Sequence, residues 1–487
     1  MNMAVRILDW PTAAEDAFPL ALWDAGSIAR ATGGTASTFF QTSGADIDSR
    51  DVIEGDLFFA LKGEAMDGHR FVPMAFDKGA AAVVVDRPVE GPHVLVEDTT
   101  AALIALAKAS RARVDAKIIG VTGSVGKTGV KEAIFAALDR ASRGKAHRSV
   151  KSYNNHIGVP LSLTRMPARA KYGIFEMGMN HAGEIAALTD LVRPHVAVIT
   201  TIAPAHIENL GSIEAIADAK AEIFAGLEPG GVAVIPSDSP QYPRLLAAAR
   251  AVGAQVMSFG KAVGSSVRLL DAVPAPGGGS LVTADLGDRR LCYTVAAPGE
   301  HWVTNSLAVM AAVRAVGGDL GAAGLALAEL EGLKGRGERH TLKTRDSGTA
   351  LLIDESYNAN PASMRATLAQ LGVTPAKRRI AVLGAMKELG DHGPAFHAEL
   401  AGPIMAAKVD QLILVGDEMR ALADELGKVA AGPLGKGLPF AHCPNATAAL
   451  QALRELGVEG GDAILVKGSN SVGLGAVVAA LAAQNKE

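Results

Sequence analysis

Short runs of β-branched and other apolar residues alternate along the chain with longer segments in which apolar residues recur every three or four positions. This alternation is typical of βαβ units and predicts parallel sheets. It divides the chain into three blocks, which we place at residues 1–113, 114–331 and 332–487. The expected fold class is therefore α/β, with a small α/β N-terminal domain, a doubly wound central domain and a Rossmann-like C-terminal domain.

The second block opens with an apolar strand-like run at 117–121, which leads into a glycine-rich turn and a helix expected to begin near Val130. Backbone N–H groups and the helix dipole at such a turn favour an anion, so the turn predicts a phosphate-binding loop. A lysine here can reach the β and γ phosphates of a nucleotide, and a threonine hydroxyl suits Mg²⁺. The spacing departs from GxxxxGK[ST] only in having Val121 at the first glycine position. The nucleotide-binding residues predicted in this turn are Gly123, Ser124, Val125, Gly126, Lys127 and Thr128.

Two polar side chains follow strand-like runs of the same block. Glu176 ends the run YGIFE, and His206 follows VAVITTI. Ligands of open α/β sheets bind at the carboxyl ends of the strands, where Glu176 could complete an Mg²⁺ site begun by Thr128. The alternatives are a solvated loop glutamate and a structural histidine, and spacing alone leaves them open.

Lys220 lies within the apolar stripe of a predicted helix. Most helical lysines extend their ammonium groups to solvent, but an inward one needs an anion, a lowered pKa or a modification. A neutral lysine amine can add CO₂ to form a carbamate, which would be an anionic oxygen ligand for Mg²⁺. The other members of the stripe are Ile213, Ile216, Ala217, Ile223 and Phe224.

The third block carries a polar loop, DESYN, after the strand-like run ALLID. Asn360 is expected to cap the following helix, with Pro361 at its first position. The loop suits a ligand-binding cleft, although a cap and a turn would also explain it. The glycine-rich segment at 331–338 is the expected hinge between the second and third blocks.

Composition narrows the class of protein. Of 487 residues, 49% are apolar, which excludes a disordered chain, and the net charge of −4 offers no positive field for nucleic acid. Cys292 and Cys443 form no disulfide or zinc pattern, and the charged N-terminal segment shows no export signal, so we expect a cytoplasmic protein. The apolar stretch at 473–483 is too short to span a bilayer and predicts a buried helix rather than membrane insertion.

These motifs together resemble the Mur ligase family over essentially the whole chain. The early segments GDLFFALKGE and DGHRF, the pair Asn154 and Asn155 before IGVPLSL, and the later EMGMNHAGEI, APAHIENLGS, AKAEIF, DESYNANPASM and LVKGSNS carry the likeness. Within the family, the early segments and DESYNANP favour the member that joins D-alanyl-D-alanine to the UDP-N-acetylmuramoyl tripeptide for peptidoglycan synthesis.

The resemblance implies a role for each matched residue. Lys127 would act on the ATP phosphates, Thr128 and Glu176 would hold one Mg²⁺, and His206 with carbamylated Lys220 would hold a second. Ser49 and Arg50 would bind the uridine diphosphate, and Asn154 and Asn155 would lie near the tripeptide. The remaining ATP-binding residues implied by the resemblance are Asn305, Arg336, Asp354, Tyr357 and Asn358.

The implied chemistry is ATP-dependent amide-bond formation through an acyl phosphate, in a protein expected to be monomeric. The C-terminal domain would bring the dipeptide. Two alternatives are kept: a sister Mur or folylpolyglutamate-type ligase that uses another amine, and a P-loop regulatory ATPase. The regulatory ATPase gives no reason for a lysine in an apolar stripe beside a metal site.

Overall fold

The computed structural model describes residues 21–63, 66–275, 278–430 and 437–483. They form two compact units, one made of the described residues up to Val114 together with Pro160–Ala168, and the other made of the rest. The N-terminal segment in which no export signal was found lies outside the described residues.

The first unit contains a five-stranded sheet in the order β2-β7-β6-β5-β4, in which only the β2–β7 pair is antiparallel. Phe58, Val83 and Val85 of its inner strands pack in a buried core. A separate pair joins β1 to β3. The elements are β1 Trp23–Asp24, α1 Ala25–Thr32, β2 Thr35–Ala36, β3 Gln41–Thr42, β4 Gly44–Asp46, β5 Asp56–Phe59, α2 Val72–Asp77, β6 Ala82–Val85, β7 His93–Leu95 and α3 Thr99–Ala112.

The second unit contains a nine-stranded sheet in the order β16-β15-β14-β13-β12-β11-β8-β10-β9. Neighbouring strands from β9 to β14 are parallel, and β14, β15 and β16 form an antiparallel extension. The strands are β8 Lys117–Thr122, β9 Ala146–Arg148, β10 Tyr172–Glu176, β11 Val196–Ile199, β12 Val232–Pro236, β13 Gln255–Gly260, β14 Val267–Pro274, β15 Ser280–Asp285 and β16 Arg290–Val295.

One helix beside this sheet, α10 (Glu300–Ala315), is buried on most of its sides. Helix α10 contributes a continuous buried run from Ser306 to Val313, because it packs against the sheet and against α4 and α11. The helices are α4 Lys127–Ser142, α6 Glu184–Val192, α7 Ile207–Leu210, α8 Ile213–Ala221, α9 Tyr242–Ala251, α10 Glu300–Ala315 and α11 Leu320–Ala328. Helix α5, Gly158–Thr164, lies mostly in the segment Pro160–Ala168 that belongs to the first unit.

A six-stranded sheet, in the order β17-β18-β22-β19-β20-β21, forms the C-terminal part of the second unit. Only the first pair is antiparallel. The elements are β17 Glu338–Lys343, β18 Thr349–Glu355, α12 Pro361–Val373, β19 Arg378–Gly384, α13 Gly393–Ala398, α14 Ala401–Ala406, β20 Gln411–Val415, α15 Arg420–Ala430, β21 Phe440–Cys443, α16 Ala446–Leu456, β22 Asp462–Lys467 and α17 Gly475–Ala483.

Three local predictions can be compared directly with the structure. Helix α4 begins at Lys127, not near Val130, because its first turn is polar and contributes nothing to the apolar pattern that marks a helix. The Asn360 cap is confirmed, and Ser363 completes a capping box with it. The apolar C-terminal segment forms α17 with Val477, Val478 and Leu481 buried, and no described helix is long and apolar enough to cross a membrane.

Candidate active site

The phosphate-binding loop connects β8 to α4 in a conformation that depends on glycine. Gly123 and Gly126 have φ angles of +146° and +88°, which L side chains rarely adopt. Ser124 is buried, and its backbone N–H and its hydroxyl donate to the carbonyls of Thr201 and Ala203, both at 2.8 Å. The loop is therefore fixed by the segment after β11 before any phosphate arrives.

Helix α10 approaches this loop closely. A Cβ atom on Gly126 would lie 3.0 Å from the Oδ1 atom of Asn305, and one on Gly129 would lie 2.7 Å from the Trp302 ring. Glycine at these two positions lets the N-terminal part of α10 lie directly against the loop. Asn305, implied by the resemblance to contact the base, is thereby placed beside the phosphate-binding turn.

A buried carboxylate lies beside the first turn of α4. Glu176 is fully buried at the end of β10, where its Oε2 atom accepts a hydrogen bond from the Thr128 hydroxyl at 2.8 Å. Its Oε1 atom accepts another from the Asn154 amide, also at 2.8 Å. The carboxylate and the hydroxyl therefore present neighbouring hard oxygen atoms, the ligand type that Mg²⁺ prefers.

The lysine of the loop is held close to the backbone. The Nζ atom of Lys127 donates to the carbonyl of Gly123 at 2.7 Å. Burial and the positive charge of Arg336 lower the pKa of Lys127, while the Glu176 carboxylate opposes that shift. An incoming phosphate would replace the carbonyl as the partner of this ammonium and would favour its charged form.

Lys220 is 1% exposed, so the inward position predicted from the apolar stripe of α8 is confirmed. Burial, reinforced by the positive charge of Lys127, holds the pKa of Lys220 well below its ordinary value. Within the described residues no carboxylate pairs with this ammonium. Both influences favour the neutral form of the Lys220 amine, which is the form that can be modified.

His206 lies at the start of α7 with a φ of +59°. Its Nδ1 atom contacts the carboxylate of Glu388, a residue of the loop between β19 and α13. That contact lowers the pKa of Glu388, against the opposing effect of its partial burial. Carboxylates in this relation to a histidine orient the ring and fix its tautomer when the other nitrogen binds a metal.

The segment between α11 and β17 and the loop after β18 supply the other side of the site. The Arg336 guanidinium lies 4.3 Å from the centroid of the Tyr357 ring and donates to the Ser152 hydroxyl at 3.4 Å. Asp354 is buried, and its carboxylate accepts hydrogen bonds from the backbone of Gly335 at 2.9 Å and of Ser356 at 3.0 Å. Asp354 thus connects the expected hinge to the loop that follows β18.

Lys467 supports the same loop from β22. It is 1% exposed, and its Nζ atom donates to the carbonyl of Asn358 at 2.9 Å and to Glu355 at 3.4 Å. Burial lowers the pKa of Lys467, and the Glu355 carboxylate opposes the shift. The loop that carries Tyr357 and Asn358 is therefore anchored by a buried cation.

These groups surround one cavity of about 250 Å³. Most of the residues implied by the resemblance line it, together with several to which the sequence analysis gave no role. The expected residues are Ser124, Val125, Gly126, Lys127, Asn154, Glu176, His206, Asn305, Arg336, Tyr357 and Asn358, and the additional ones include Ser152, Met179, Asn180, His301, Trp302, Glu355 and Lys467.

Some expected residues lie apart from the cavity lining. Asn155 turns its side chain to the backbone of Gly158, at 2.9 Å, and so caps the start of α5. Gly123, Thr128, Lys220 and Asp354 are not among the lining residues. Ser49 and Arg50 belong to the first unit, where the Ser49 hydroxyl contacts the Met74 sulfur at 3.2 Å and Arg50 pairs with Asp48 at 2.6 Å.

Comparison with known proteins identifies the family to which the chain belongs. The model described as "Mur ligase family, catalytic domain" matches residues 42–117, "Mur ligase middle domain" matches 121–313, and "Mur ligase, glutamate ligase domain" matches 335–470. A UDP-N-acetylmuramoyl-tripeptide--D-alanyl-D-alanine ligase of Synechocystis sp. is 40% identical over 448 residues, covering 90% of this chain and 91% of that protein. The chain belongs to the Mur ligase family. It is an enzyme, an ATP-dependent ligase that forms amide bonds.

Other Mur ligases agree with this assignment. A UDP-N-acetylmuramoyl-tripeptide--D-alanyl-D-alanine ligase of Bacillus subtilis is 35% identical, covering 89% of this chain and 92% of that protein. The crystal structure of MurF from Acinetobacter baumannii superimposes with a TM-score of 0.80 at 29% identity, covering 96% of this chain and all of that one. MurF ligase from Thermotoga maritima in complex with ADP gives 0.72 at 26% identity, covering 91% and 98%. The expected three-domain α/β architecture is confirmed.

Proposed function

We propose that this Mur ligase joins D-alanyl-D-alanine to the UDP-N-acetylmuramoyl tripeptide, converting ATP to ADP and phosphate and giving the UDP-muramoyl pentapeptide. The observation that carries the proposal is the likeness over about nine-tenths of the chain to relatives named for this reaction. The cavity supports it, because a phosphate-binding loop, a buried carboxylate and the loop after β18 converge on one space.

The nucleotide binds with its phosphates on the backbone N–H groups that begin α4. The helix dipole and the backbone N–H groups make this end of α4 an anion site, and Lys127 adds a positive charge. Asn305, beside Gly126, contacts the base, while Arg336 and Tyr357 cover the phosphates from the C-terminal sheet. Asp354 and Asn358 complete the proposed ATP-binding set, and the Asp354 carboxylate also holds Gly335 and Ser356 in place.

The residues present could supply ligands for two Mg²⁺ ions. Glu176 is buried, and the described side chains that donate hydrogen bonds to it, Thr128 and Asn154, are neutral. Mg²⁺ held by Glu176 and the Thr128 hydroxyl would balance the carboxylate charge together with the nearby Lys127 ammonium. His206 and carbamylated Lys220 would hold the second ion. Carbamylation joins the neutral amine nitrogen to CO₂ and releases one proton, and the depressed pKa of Lys220 favours that neutral amine. When bound, the ions supply Lewis-acid stabilisation of the phosphoryl oxygens.

The reaction then depends on positioning and charge. The terminal carboxylate of the tripeptide attacks the γ-phosphorus of ATP, and ADP leaves, which gives an acyl phosphate. The amine of the dipeptide attacks the acyl carbon, and phosphate leaves from the tetrahedral intermediate after the nitrogen has lost a proton. The positive charge of Lys127 stabilises the oxygens of the phosphoryl group during its transfer, and Asn154 orients Glu176.

The substrates are divided among three domains, for which we propose the boundaries 1–113, 114–331 and 332–487. Ser49 and Arg50 bind the uridine diphosphate, and Asn154 and Asn155 lie near the tripeptide. The C-terminal domain brings the dipeptide, and closure at 331–338 excludes water that would hydrolyse the acyl phosphate. Gly335 and Gly337, with φ angles of +71° and +91°, give that segment the backbone freedom that a hinge uses.

An amine panel tests the proposal. Phosphate release from ATP is measured with the UDP-muramoyl tripeptide and D-alanyl-D-alanine, L-lysine, meso-diaminopimelate, D-glutamate or no amine. We expect stimulation by D-alanyl-D-alanine alone, with the pentapeptide as product by mass. Stimulation by another amine would support a sister ligase. A rate of phosphate release that is the same with and without a muramoyl substrate would support a regulatory ATPase.

The cytoplasmic location and the monomeric state are further predictions of the same proposal. Cell fractionation tests the first, and sedimentation velocity with and without substrates tests the second. Recovery of the enzyme outside the cytoplasm, or a dimer at micromolar concentration, would contradict them.

A further inference from the structure

Lys131 is a buried lysine of α4 that the reaction as described does not use. It lies four residues after Lys127 and is fully buried. Its Nζ atom donates to the backbone carbonyls of Ser149 at 2.9 Å and Lys151 at 2.7 Å, and lies 3.0 Å from the Glu132 carboxylate. Lysine is almost never fully buried unless it is paired, and here the Glu132 carboxylate and the two carbonyls are the partners.

The turn that accepts these bonds has a strained backbone. Lys151 has a φ of +52°, which a non-glycine residue adopts at a cost. The turn is also tied to β10, because the N–H of Ser149 donates to the carbonyl of Ile174 at 2.9 Å and the Ser149 hydroxyl accepts from the N–H of Glu176 at 3.2 Å. Two bonds from a single ammonium therefore hold the carbonyls on both sides of Val150.

The residues that follow this turn contact Thr128 and Glu176, the two side chains proposed to hold one Mg²⁺. The Ser152 hydroxyl lies 3.4 Å from the Thr128 hydroxyl. The Asn154 amide donates to Glu176, and the carbonyl of Asn154 accepts from the N–H of Gly178 at 2.7 Å. Lys131 itself does not line the cavity.

We propose that Lys131 is a positioning residue, which fixes the turn at 149–151 and thereby holds Ser152 and Asn154 against the Thr128 and Glu176 pair. The expected effect of Lys131 on ligation rests on the proposed function. The expected effect of Lys131 on the turn at 149–151 does not, because it follows from hydrogen bonds of the protein without ligands.

The first test replaces Lys131 in the full chain by methionine, which keeps length and removes the donors. Hydrogen exchange without any ligand should accelerate at amides 149–155 and stay unchanged in the C-terminal sheet. The specificity constant for the tripeptide should fall about 10- to 100-fold, the loss typical of residues that orient ligand-binding groups. ADP affinity without Mg²⁺ should stay within about twofold, since the phosphate-binding loop itself is intact. Lys117→Met, at an exposed position of β8, is the matched control and should change none of these quantities.

Two further variants separate positioning from general stabilisation. Because Lys131 acts through Asn154, adding Asn154→Ala to Lys131→Met should cost little more than either change alone. Lys151→Gly should partly restore the Lys131→Met enzyme, because glycine adopts a positive φ without strain. Lys131→Gln, whose amide can still donate to a carbonyl, provides the same comparisons if the methionine variant does not fold.

Unchanged exchange at 149–155, or effects of Lys131→Met and Asn154→Ala that multiply independently, would overturn the proposal. Failure of the proposed function is a separate result. It would show as no ligation by the wild-type enzyme, whereas the exchange experiment needs no substrate and still decides the role of Lys131.

Discussion

The exchange of Glu176 for glutamine tests the metal site with little change in shape. Glu176 is fully buried and accepts two hydrogen bonds of 2.8 Å, from Thr128 and Asn154. Glutamine keeps the volume and one carbonyl oxygen, so one of the two bonds survives and the other partner must reorient. The free energy of unfolding should therefore change by about 1 kcal/mol, the net value of one hydrogen bond.

Activity should respond far more than stability. Loss of an anionic ligand at the phosphoryl-transfer site should lower turnover about 100- to 1000-fold, or about 3 to 4 kcal/mol of transition-state stabilisation. Phosphate release at saturating ATP and tripeptide, measured over a Mg²⁺ titration, gives the turnover, and ADP binding shows that the nucleotide site persists. The control is Glu214→Gln, an exposed carboxylate of α8 that contacts Gln241 at 3.1 Å. Wild-type turnover by Glu176→Gln at equal Mg²⁺ would refute the assignment.

Three further predictions follow from the same site. Lys220→Ala should lose turnover that added short carboxylates partly restore, and full activity without them would contradict carbamylation. Gly126→Ala should weaken ADP binding about tenfold by calorimetry, because αL strain of about 1 to 2 kcal/mol adds to a close approach; Gly144→Ala has a similar φ of +77° with open space around it and should not affect binding. Burial, aided by a nearby lysine, lowers the pKa of His301 to about 4. Since the unfolded state then binds more protons between about pH 4 and 6.5, stability should rise with pH across this window by up to about 3 kcal/mol. His301→Gln should remove that part of the slope in urea unfolding, and an unchanged slope would contradict it.

The sequence could predict those parts of the site that depend on the order of residues within one helix, strand or turn. A glycine-rich turn after an apolar run, a carboxylate at a strand end and a lysine in an apolar stripe each depend on neighbours within one element. The Asn360 cap is of the same kind. Lys220 could be placed in the apolar stripe because it follows Ile216 and Ala217 at helical spacing.

Contacts over long sequence distances could not be predicted in this way. Lys131 reads as an ordinary helical lysine, because its partners are backbone carbonyls 18 and 20 residues away. The pairing of His206 with Glu388 joins two loops that follow strands of different sheets. Asp354 is predicted from the resemblance to bind ATP, but its hydrogen bonds to the backbone of Gly335 and Ser356 could not be predicted from the sequence. Contacts of this kind are visible only in the tertiary arrangement.

The most direct measurement follows an oxygen atom. The tripeptide is prepared with ¹⁸O in its terminal carboxylate and incubated with ATP, D-alanyl-D-alanine and the enzyme, and the phosphate is analysed by mass. Because that carboxylate attacks phosphorus and phosphate later leaves from the acyl carbon, the account predicts one ¹⁸O atom in phosphate for each pentapeptide formed. Pentapeptide formed with unlabelled phosphate, or phosphate released without pentapeptide, would contradict ligation through an acyl phosphate.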